Sequence, residues 1–398
     1  MWKKFKSYYN KDNCDFSKGY VDPFEFHQTF YRLLVAFKVA NLESKDPPSG
    51  FLATLMMFIT FCHGLEIVDL AMITEGGTYT ILLGYKLLIL ACTRINLTEY
   101  HNFLRALKED FHYICTTGEK YRVPYFENQL KTWKLCIIVC IFNASIPLGM
   151  NIFAFLSLFY FLATNKPEDG GNRPLLFPYW LPNIDFDQSP VYEIAFMFAN
   201  SCVVLYSYNY TFMFQTQIVW IRQIASKVDI IIWNLQDLLV DVYPAKTKEE
   251  DAYFSHLIKT RMREIVIHHL SMYRYNIHMF PRRFVYKKIL MYEQKFSGPV
   301  IFLAAYCIAE VGIFLTTLYY KNNIFGLYFV SSICDACWDI PFWNAGPVIR
   351  PYMVLIMQRS LRSLPLQAAG FEDISVETFS KTISSAYSYF NMLRQTNL

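Results

Sequence analysis

The segment Ser375-Val-Glu-Thr-Phe-Ser-Lys-Thr-Ile-Ser-Ser-Ala-Tyr-Ser-Tyr-Phe-Asn-Met-Leu-Arg-Gln-Thr396 carries two different stripes when its residues are placed at helical spacing. The apolar stripe contains Phe379, Ile383, Tyr387, Phe390 and Leu393, and the polar stripe contains Thr378, Lys381, Ser385, Ser388, Met392 and Thr396. At ~1.5 Å per residue the segment covers roughly 27 Å, close to the ~30 Å hydrocarbon core of a bilayer. A spanning helix must turn a polar face toward protein or water, so the segment predicts a helix that lines a conduit. An amphipathic helix of a soluble domain is the alternative.

The composition favours a membrane protein over a soluble one. Of the 398 residues, 54% are hydrophobic and only 18% are charged, against ~25% in soluble domains. The mean hydropathy is +0.20, and apolar runs near the spanning length recur. The net charge of +4 gives no reason to expect a nucleic-acid partner. No phosphate loop, nucleophile elbow or carboxylate pair is present, so we expect no enzyme, catalytic residue, metal or cofactor.

Hydropathy predicts an all-α membrane protein with seven transmembrane helices. The predicted spans are Phe51 to Met72, Tyr79 to Leu97, about Trp133 to Leu162, about Pro190 to Trp220, about Phe296 to Tyr320, about Ile324 to Ile349, and the polar tail helix. The predicted regions are a cytoplasmic N-terminus with an interfacial helix (1–50), spans one to four (51–221), a cytoplasmic helical anchor region (222–295), spans five and six (296–349), a cytoplasmic anchor part of helix seven (350–374) and its pore-lining part (375–398).

The charges of the loops set the orientation. Lys and Arg are abundant in 1–50, 98–132 and 222–295, whereas the alternate loops are poor in them. Basic loops face the cytoplasm, which places the N-terminus inside and, with seven spans, the C-terminus outside. This topology is opposite to that of a G-protein-coupled receptor. The 222–295 segment carries apolar residues at helical spacing among mixed charges, which favours packed cytoplasmic helices over a membrane-surface helix.

The outer halves of spans two to five are rich in aromatic and small residues, which predicts an apolar cavity with one or two hydrogen-bonding groups. Such a cavity suits a small volatile ligand, although plain helix packing explains the same pattern. The predicted lining residues are Tyr79, Leu83, Gly149, Met150, Phe153, Tyr192, Phe196, Met197, Asn200 and Tyr319. Because intramembrane charges need partners, we also expect Lys86 to pair with Glu66 or Asp69.

Four stretches resemble the insect odorant receptor family. The final Ser384-Ser-Ala-Tyr-Ser-Tyr-Phe-Asn-Met-Leu-Arg-Gln395 looks like the family's last helix. The stretches Asp335 to Trp343 and Val354 to Leu366 resemble its inner-helix block, and Pro178-Tyr-Trp-Leu-Pro182 resembles its second outer loop. The resemblance covers the seven-helix layout, but its specificity is concentrated in the last 65 residues.

The resemblance implies a subunit of a ligand-gated, poorly selective cation channel in the plasma membrane of a sensory neuron. Such receptors assemble as tetramers, normally with a shared coreceptor, through cytoplasmic helices. The last helix lines the pore, and the positions that match the family's gate are Met392 and Thr396. The polar stripe of the tail adds Ser388 to the predicted pore face. Thr396 is polar where the family has an apolar gate residue, which fits a subunit that relies on its partners to close the pore.

Three other classes compete with this prediction. A metabotropic seven-helix receptor would signal without a partner channel and keep its C-terminus inside. A transporter would show internal repeats and broken helices, and no convincing repeat is present. A gustatory-type receptor differs from the predicted class only by the tail motif.

Overall fold

The structure, a computed structural model, is mostly helical. It describes residues 2–12, 14, 16, 19–37, 51–69, 72–73, 76–77, 79–80, 83–84, 87, 97–164, 173–177, 179–240, 242, 248–279, 326–340, 348–361, 367–368, 372–373, 380–381, 384 and 388. The helices in these ranges are α1 (Trp2–Asn10), α2 (Pro23–Phe26), α3 (Gln28–Phe37), α4 (Phe51–Ile67), α5 (Leu97–Thr116), α6 (Glu119–Thr164), α7 (Val191–Gln236), α8 (Lys248–Met279), α9 (Gly326–Trp338) and α10 (Arg350–Ser360). Two short strands, β1 (Gln367–Ala368) and β2 (Glu372–Asp373), pair antiparallel.

Helices α6 and α7 form the long antiparallel pair on which the fold is built. Each has 46 residues, which at ~1.5 Å per residue gives roughly 69 Å, more than twice the thickness of a hydrocarbon core. Gln129 contacts Gln223 near one end of the pair, and the Ser207 hydroxyl donates to the Asn143 carbonyl further along. The predicted third and fourth spans lie within these helices, and α7 continues without a break beyond the predicted boundary at 221.

The outer part of α6 carries a band of exposed apolar side chains. Its exposed members are Ile138, Ile141, Phe142, Ile146, Leu148, Ile152, Phe153, Phe155, Leu156, Phe159, Tyr160 and Leu162. Among the described helices, α6 and α7 are long and apolar enough to cross a membrane, and α4 is apolar but shorter. Only 28% of the most apolar stretch of α6 is buried, whereas a core helix of a soluble protein would be mostly buried. The band therefore has the character of a lipid-facing surface.

The main hydrophobic core lies at the opposite end of the long pair, in the region that the loop charges assign to the cytoplasm. Phe26 and Phe30 meet Phe111, Tyr125 and Trp133 there, all of them 2% exposed or less. The C-terminal part of α7 and helices α8, α9 and α10 complete this core with residues such as those at 235, 265, 333 and 353. This end, which we call the cytoplasmic body after its predicted location, is a packed helical body, and the opposite end, called the outer half on the same prediction, is more open.

Several predicted spans fall partly or wholly outside the described residues. The first predicted span begins as α4, and the sixth overlaps α9. Residues of the second span are described only at 79–80, 83–84, 87 and 97, and the fifth, 296–320, lies outside the described residues. In the predicted seventh span, the described residues 380–381, 384 and 388 are helical. The number of spans and the topology remain predictions.

Candidate functional site

A loop between α6 and α7 covers the outer end of the described bundle. The backbone N–H of Trp180 donates to the Thr60 hydroxyl of α4 at 3.0 Å, and the Trp180 ring stacks on His63 with ring centroids 3.5 Å apart. On the other side, the Tyr192 hydroxyl of α7 donates to the Pro174 carbonyl at 2.9 Å. We call residues 173–177 and 179–190 the cover loop. Its contacts tie α4 and α7 together over the outer half.

An apolar cluster lies beneath the cover loop, between α4, α7 and the described residues of the second predicted span. It contains Ala53, Met57, Leu83, Phe177, Tyr179, Ala195, Ala199, Cys202, Val203 and Tyr206. Tyr79 and Met150 pack against it, and the Tyr79 ring meets Phe177 edge-on at 4.7 Å. Tyr79, Leu83 and Met150, three of the residues predicted to line the ligand cavity, therefore meet in this cluster.

A second, smaller cluster joins α6 to α7 on a neighbouring face. Tyr192 and Phe196 are 3% and 4% exposed and pack with Ala154. Asn200 lies one turn further along α7 and is also buried; its side-chain N–H donates to the Phe196 carbonyl at 2.8 Å. These three predicted residues, Tyr192, Phe196 and Asn200, are brought together by their spacing on one helix face.

Three other predicted residues lie outside these clusters. Phe153 and Met197 are 68% and 61% exposed, and Gly149 is exposed with open space where a Cβ would stand. Phe153 lines an open groove of about 500 Å³ on the outer part of α6, together with Leu156, Ser157, Tyr160, Phe161, Thr164 and Pro174. The groove lies along the exposed apolar side of α6, apart from the cluster beneath the cover loop.

The remaining predicted site residues are only partly described. Ser388 is exposed, and its hydroxyl donates to the Ser384 carbonyl at 2.9 Å, one helical turn earlier. Tyr319, Met392, Thr396 and Lys86 lie outside the described residues, so the pore positions and the Lys86 ion pair stay predictions. The expected partner Glu66 is exposed and stands 3.8 Å from the His63 imidazole.

Two buried polar atoms give the outer half its hydrogen-bonding capacity. The Tyr179 hydroxyl and Asn200 Oδ1 are both buried and make no hydrogen bond in the structure as far as it describes the chain. Burial raises the pKa of Tyr179 well above its ordinary value, which keeps the hydroxyl neutral and able to donate. An unsatisfied buried group costs about 1–3 kcal/mol, and a ligand hydroxyl or carbonyl could satisfy it. The outer half therefore offers a donor in the cluster beneath the cover loop and an acceptor beside the second cluster.

A buried polar network lies in the cytoplasmic body. Asp110 of α5 forms an ion pair with Lys227 of α7 and accepts a hydrogen bond from Gln223 at 2.6 Å. Gln129 of α6 donates to Gln223 at 3.3 Å and contacts the imidazole of His27 at 3.0 Å. Buried polar groups that satisfy one another fix how helices fit together, so this network sets the mutual position of α5, α6 and α7.

The comparisons with known proteins agree with the geometry. No model of a known protein family matches the sequence, and no curated protein matches it significantly. Among solved structures, the insect olfactory receptor OR5 from Machilis hrabei in complex with eugenol superposes with a TM-score of 0.58 at 15% identity, covering 99% of this chain and 98% of that chain. The protein has the fold of the insect olfactory receptors. A second OR5 structure gives a TM-score of 0.57 at 14% identity over 94% of this chain and 99% of that chain.

The sequence did not reveal two of the residues that lie beneath the cover loop. Phe177 and Tyr179 lie in a loop rich in acidic residues, where hydropathy gives no sign of burial. Their burial depends on contacts with distant elements, notably Tyr79 and the α7 residue Phe198. The alternation of aromatic residues at 177 and 179 is the sequence signal that could have identified them.

Proposed function

We propose that the protein is an odorant receptor subunit of a ligand-gated, non-selective cation channel in the cell membrane. The observation that carries the proposal is the full-length structural similarity to OR5, a receptor whose structure contains eugenol. Two features support it independently of that similarity: the polar stripe of the tail in the sequence, and the exposed apolar band of α6 in the structure. Because the sequence identity to OR5 is only 15%, we infer the class of ligand from this chain's own residues.

The ligand is a small, largely apolar volatile molecule with one hydrogen-bonding group. Beneath the cover loop, the rings of Tyr79 and Phe177 meet edge-on, and they pack in one cluster with Tyr206 and Ala199. Tyr179 supplies a donor and Asn200 an acceptor. A charged ligand finds no partner among these described residues, whereas a phenol or an alcohol such as a eugenol-like odorant can satisfy one of the two groups.

The channel is formed with partner subunits, and its pore is lined by the last helix. The predicted seven spans and inside N-terminus put the C-terminus outside. In the proposed channel, the stripe of Ser388, Met392 and Thr396 is the face of the last helix that lines the shared axis. The cytoplasmic body around Asp110 and Lys227 provides a rigid base from which subunits associate. A coreceptor of the same fold is the proposed partner, in a tetramer, because Thr396 is a poor hydrophobic plug. Ligand binding opens the pore through higher affinity for the open arrangement.

Recording currents tests the proposal. The chain is expressed alone and with the coreceptor, and a panel of volatiles is applied that includes eugenol. We expect odorant-evoked cation currents that require this chain and that change in ligand preference when Tyr179 is replaced by Phe. The variant Tyr253→Phe is the matched control because Tyr253 is 65% exposed on α8.

Labelling a C-terminal tag on intact cells tests the topology separately. We expect the tag to be accessible without permeabilisation. A tag that is labelled only after permeabilisation, with odorant responses that need no partner channel, would indicate a metabotropic receptor. A response to non-volatile tastants alone would indicate a gustatory-type receptor.

A further inference from the structure

The N-terminal helix α1 has a basic face that no contact described above uses. Its sequence, Trp-Lys-Lys-Phe-Lys-Ser-Tyr-Tyr-Asn, contains no acidic residue. Lys3, Lys4 and Lys6 are exposed, and at helical spacing they lie off the face that carries Phe5 and Tyr9. Phe5 and Tyr9 pack against the cytoplasmic core. The helix is thus held to the body by aromatic residues and presents its lysines outward.

Contacts with α6 place this helix at the level where the predicted third span begins. Trp133, the first residue of that span, is fully buried; its ring meets Tyr8 edge-on at 5.1 Å, and its indole N–H donates to the Tyr8 carbonyl at 3.4 Å. The ammonium of Lys134 stands over the Tyr9 ring, 5.3 Å from its centroid. Cys140, two turns deeper in the span, lies close enough to Tyr8 to affect the pKa of the Tyr8 hydroxyl. The helix therefore lies beside the boundary between apolar span and cytoplasm.

Further positive charges and an exposed aromatic ring complete this surface. Arg32 of α3 is exposed and lies near Tyr8. Burial raises the pKa of the Tyr8 hydroxyl, and the charge of Arg32 opposes this shift. Trp2 is 75% exposed and stacks on Phe5 with centroids 5.6 Å apart. An exposed indole beside lysines is the composition of helices that lie in the interface of a membrane. We name Trp2, Lys3, Lys4, Lys6 and Arg32 the basic surface.

We propose that the basic surface binds the headgroups of anionic phospholipids in the inner leaflet. This rests on the cytoplasmic N-terminus of the proposed function but adds a lipid partner to it. The inner leaflet is negatively charged, and each Lys or Arg near it contributes roughly fivefold in affinity. A protein partner would require an apolar patch larger than one indole, whereas a charged lipid surface matches three lysines around a single Trp. The bound lipid holds α1 against α6 and so steadies the cytoplasmic end of the third span.

The test measures lipid binding by the full-length protein. Phosphatidylserine or phosphatidylcholine is titrated into the purified chain, and bound lipids are counted by native mass spectrometry. The triple variant K3Q/K4Q/K6Q should lose phosphatidylserine affinity by on the order of a hundredfold, while binding of phosphatidylcholine stays unchanged. The matched control is K248Q/K259Q/R263Q, which removes three exposed charges from α8 and should bind both lipids as the unaltered chain does.

A second readout locates the lipid at the helix itself. Brominated phosphatidylserine should quench the unaltered chain more than the W2F variant, because Trp2 lies at the headgroup level. Equal phosphatidylserine affinity in the two triple variants would overturn the proposal. So would a change in oligomeric mass with lipid binding intact, which would make the surface a subunit contact. A chain that prefers phosphatidylserine but answers no odorant would leave this proposal standing and contradict the proposed function alone.

Discussion

The ion pair between Asp110 and Lys227 joins two helices inside the cytoplasmic body, and both side chains are only 4% exposed. Lys227 also lies 3.3 Å from the His268 imidazole, and Asp110 accepts from Gln223. Removing one member of such a pair leaves the other charge buried, which costs about 3–5 kcal/mol.

We therefore expect Lys227→Met to lower the free energy of unfolding by about 3–5 kcal/mol, measured by thermal unfolding in detergent. The control is Lys120→Met, since Lys120 is 68% exposed in its pair with Asp237 and such pairs contribute about 0–1 kcal/mol. Adding Asp110→Leu to Lys227→Met should recover much of the loss. Equal losses in the two single variants would show that the buried pair has no special role.

A second prediction concerns His27, which is 1% exposed and contacts Gln129. Burial lowers the pKa of His27 to about 4, the contact with Gln129 opposes this shift, and the charge of Lys11 adds to it. In the unfolded chain His27 has a pKa of about 6.5 and therefore binds the proton more tightly than in the folded chain. Above about pH 6.5 neither state binds this proton, so His27 does not change the stability of the fold there. As the pH falls from about 6.5 to about 4, the fold loses up to roughly 3 kcal/mol.

Thermal unfolding at about pH 7 and at about pH 5 measures this loss. We expect His27→Gln to show a smaller drop in unfolding temperature between the two conditions than the unaltered chain. His256→Gln, at an exposed position of α8, should keep the full drop. A drop in His27→Gln as large as that of the unaltered chain would place the acid sensitivity at other residues, such as His268 and His269, whose pKa values burial also lowers to about 4.

At the scale of elements, the cover loop depends on a few specific contacts with helices. The Thr60 hydroxyl accepts from the Trp180 N–H and itself donates to the Met56 carbonyl at 2.9 Å. Thr60→Val keeps the shape of the side chain but leaves the Trp180 N–H without this acceptor. We expect the free energy needed to open the cover loop to fall by about 1–3 kcal/mol, so that the loop opens more often.

Hydrogen exchange of the peptide that contains Trp180 measures this opening. Exchange should be faster in Thr60→Val, whereas Thr60→Ser, which retains the hydroxyl, should behave as the unaltered chain. Peptides from α8 should exchange at the same rate in all three, because that helix has no contact with the cover loop among those described. Unchanged exchange in Thr60→Val would show that the stacking of Trp180 on His63 suffices to hold the loop.

The elements that could be predicted from sequence are those whose signal is local. Long apolar runs located the third and fourth spans in α6 and α7. The continuation of α7 to Gln236 could not be seen, because hydropathy falls where Arg222 and Lys227 begin. These charges are nonetheless buried, since Thr132 and Asp110 come from other helices to meet them. Likewise, five of the residues predicted to line the cavity lie in or against the two outer clusters, but the burial of Phe177 and Tyr179 depends on tertiary contacts.

At the scale of the whole molecule, the structure combines a packed cytoplasmic body with a more open outer half. The outer half exposes apolar residues along α6 and holds unsatisfied polar atoms at Tyr179 and Asn200. The body buries Asp110 and Lys227 as an ion pair. Under the proposed function, a ligand that changes the packing of the outer half would move the spanning helices against this body, as gating of a shared pore requires.

Odorant-evoked current in excised membrane patches tests the central claim most directly, because excision removes soluble messengers. The patches come from cells that express the coreceptor with either the unaltered chain or Ser388→Cys, and a charged thiol reagent is applied from the outside. We expect the current to survive excision and the reagent to alter it in Ser388→Cys. Phe379→Cys, on the apolar stripe, is the control and should not respond. Loss of the current on excision, or equal reagent effects at 379 and 388, would contradict the account of this chain as a pore-lining, odorant-gated subunit.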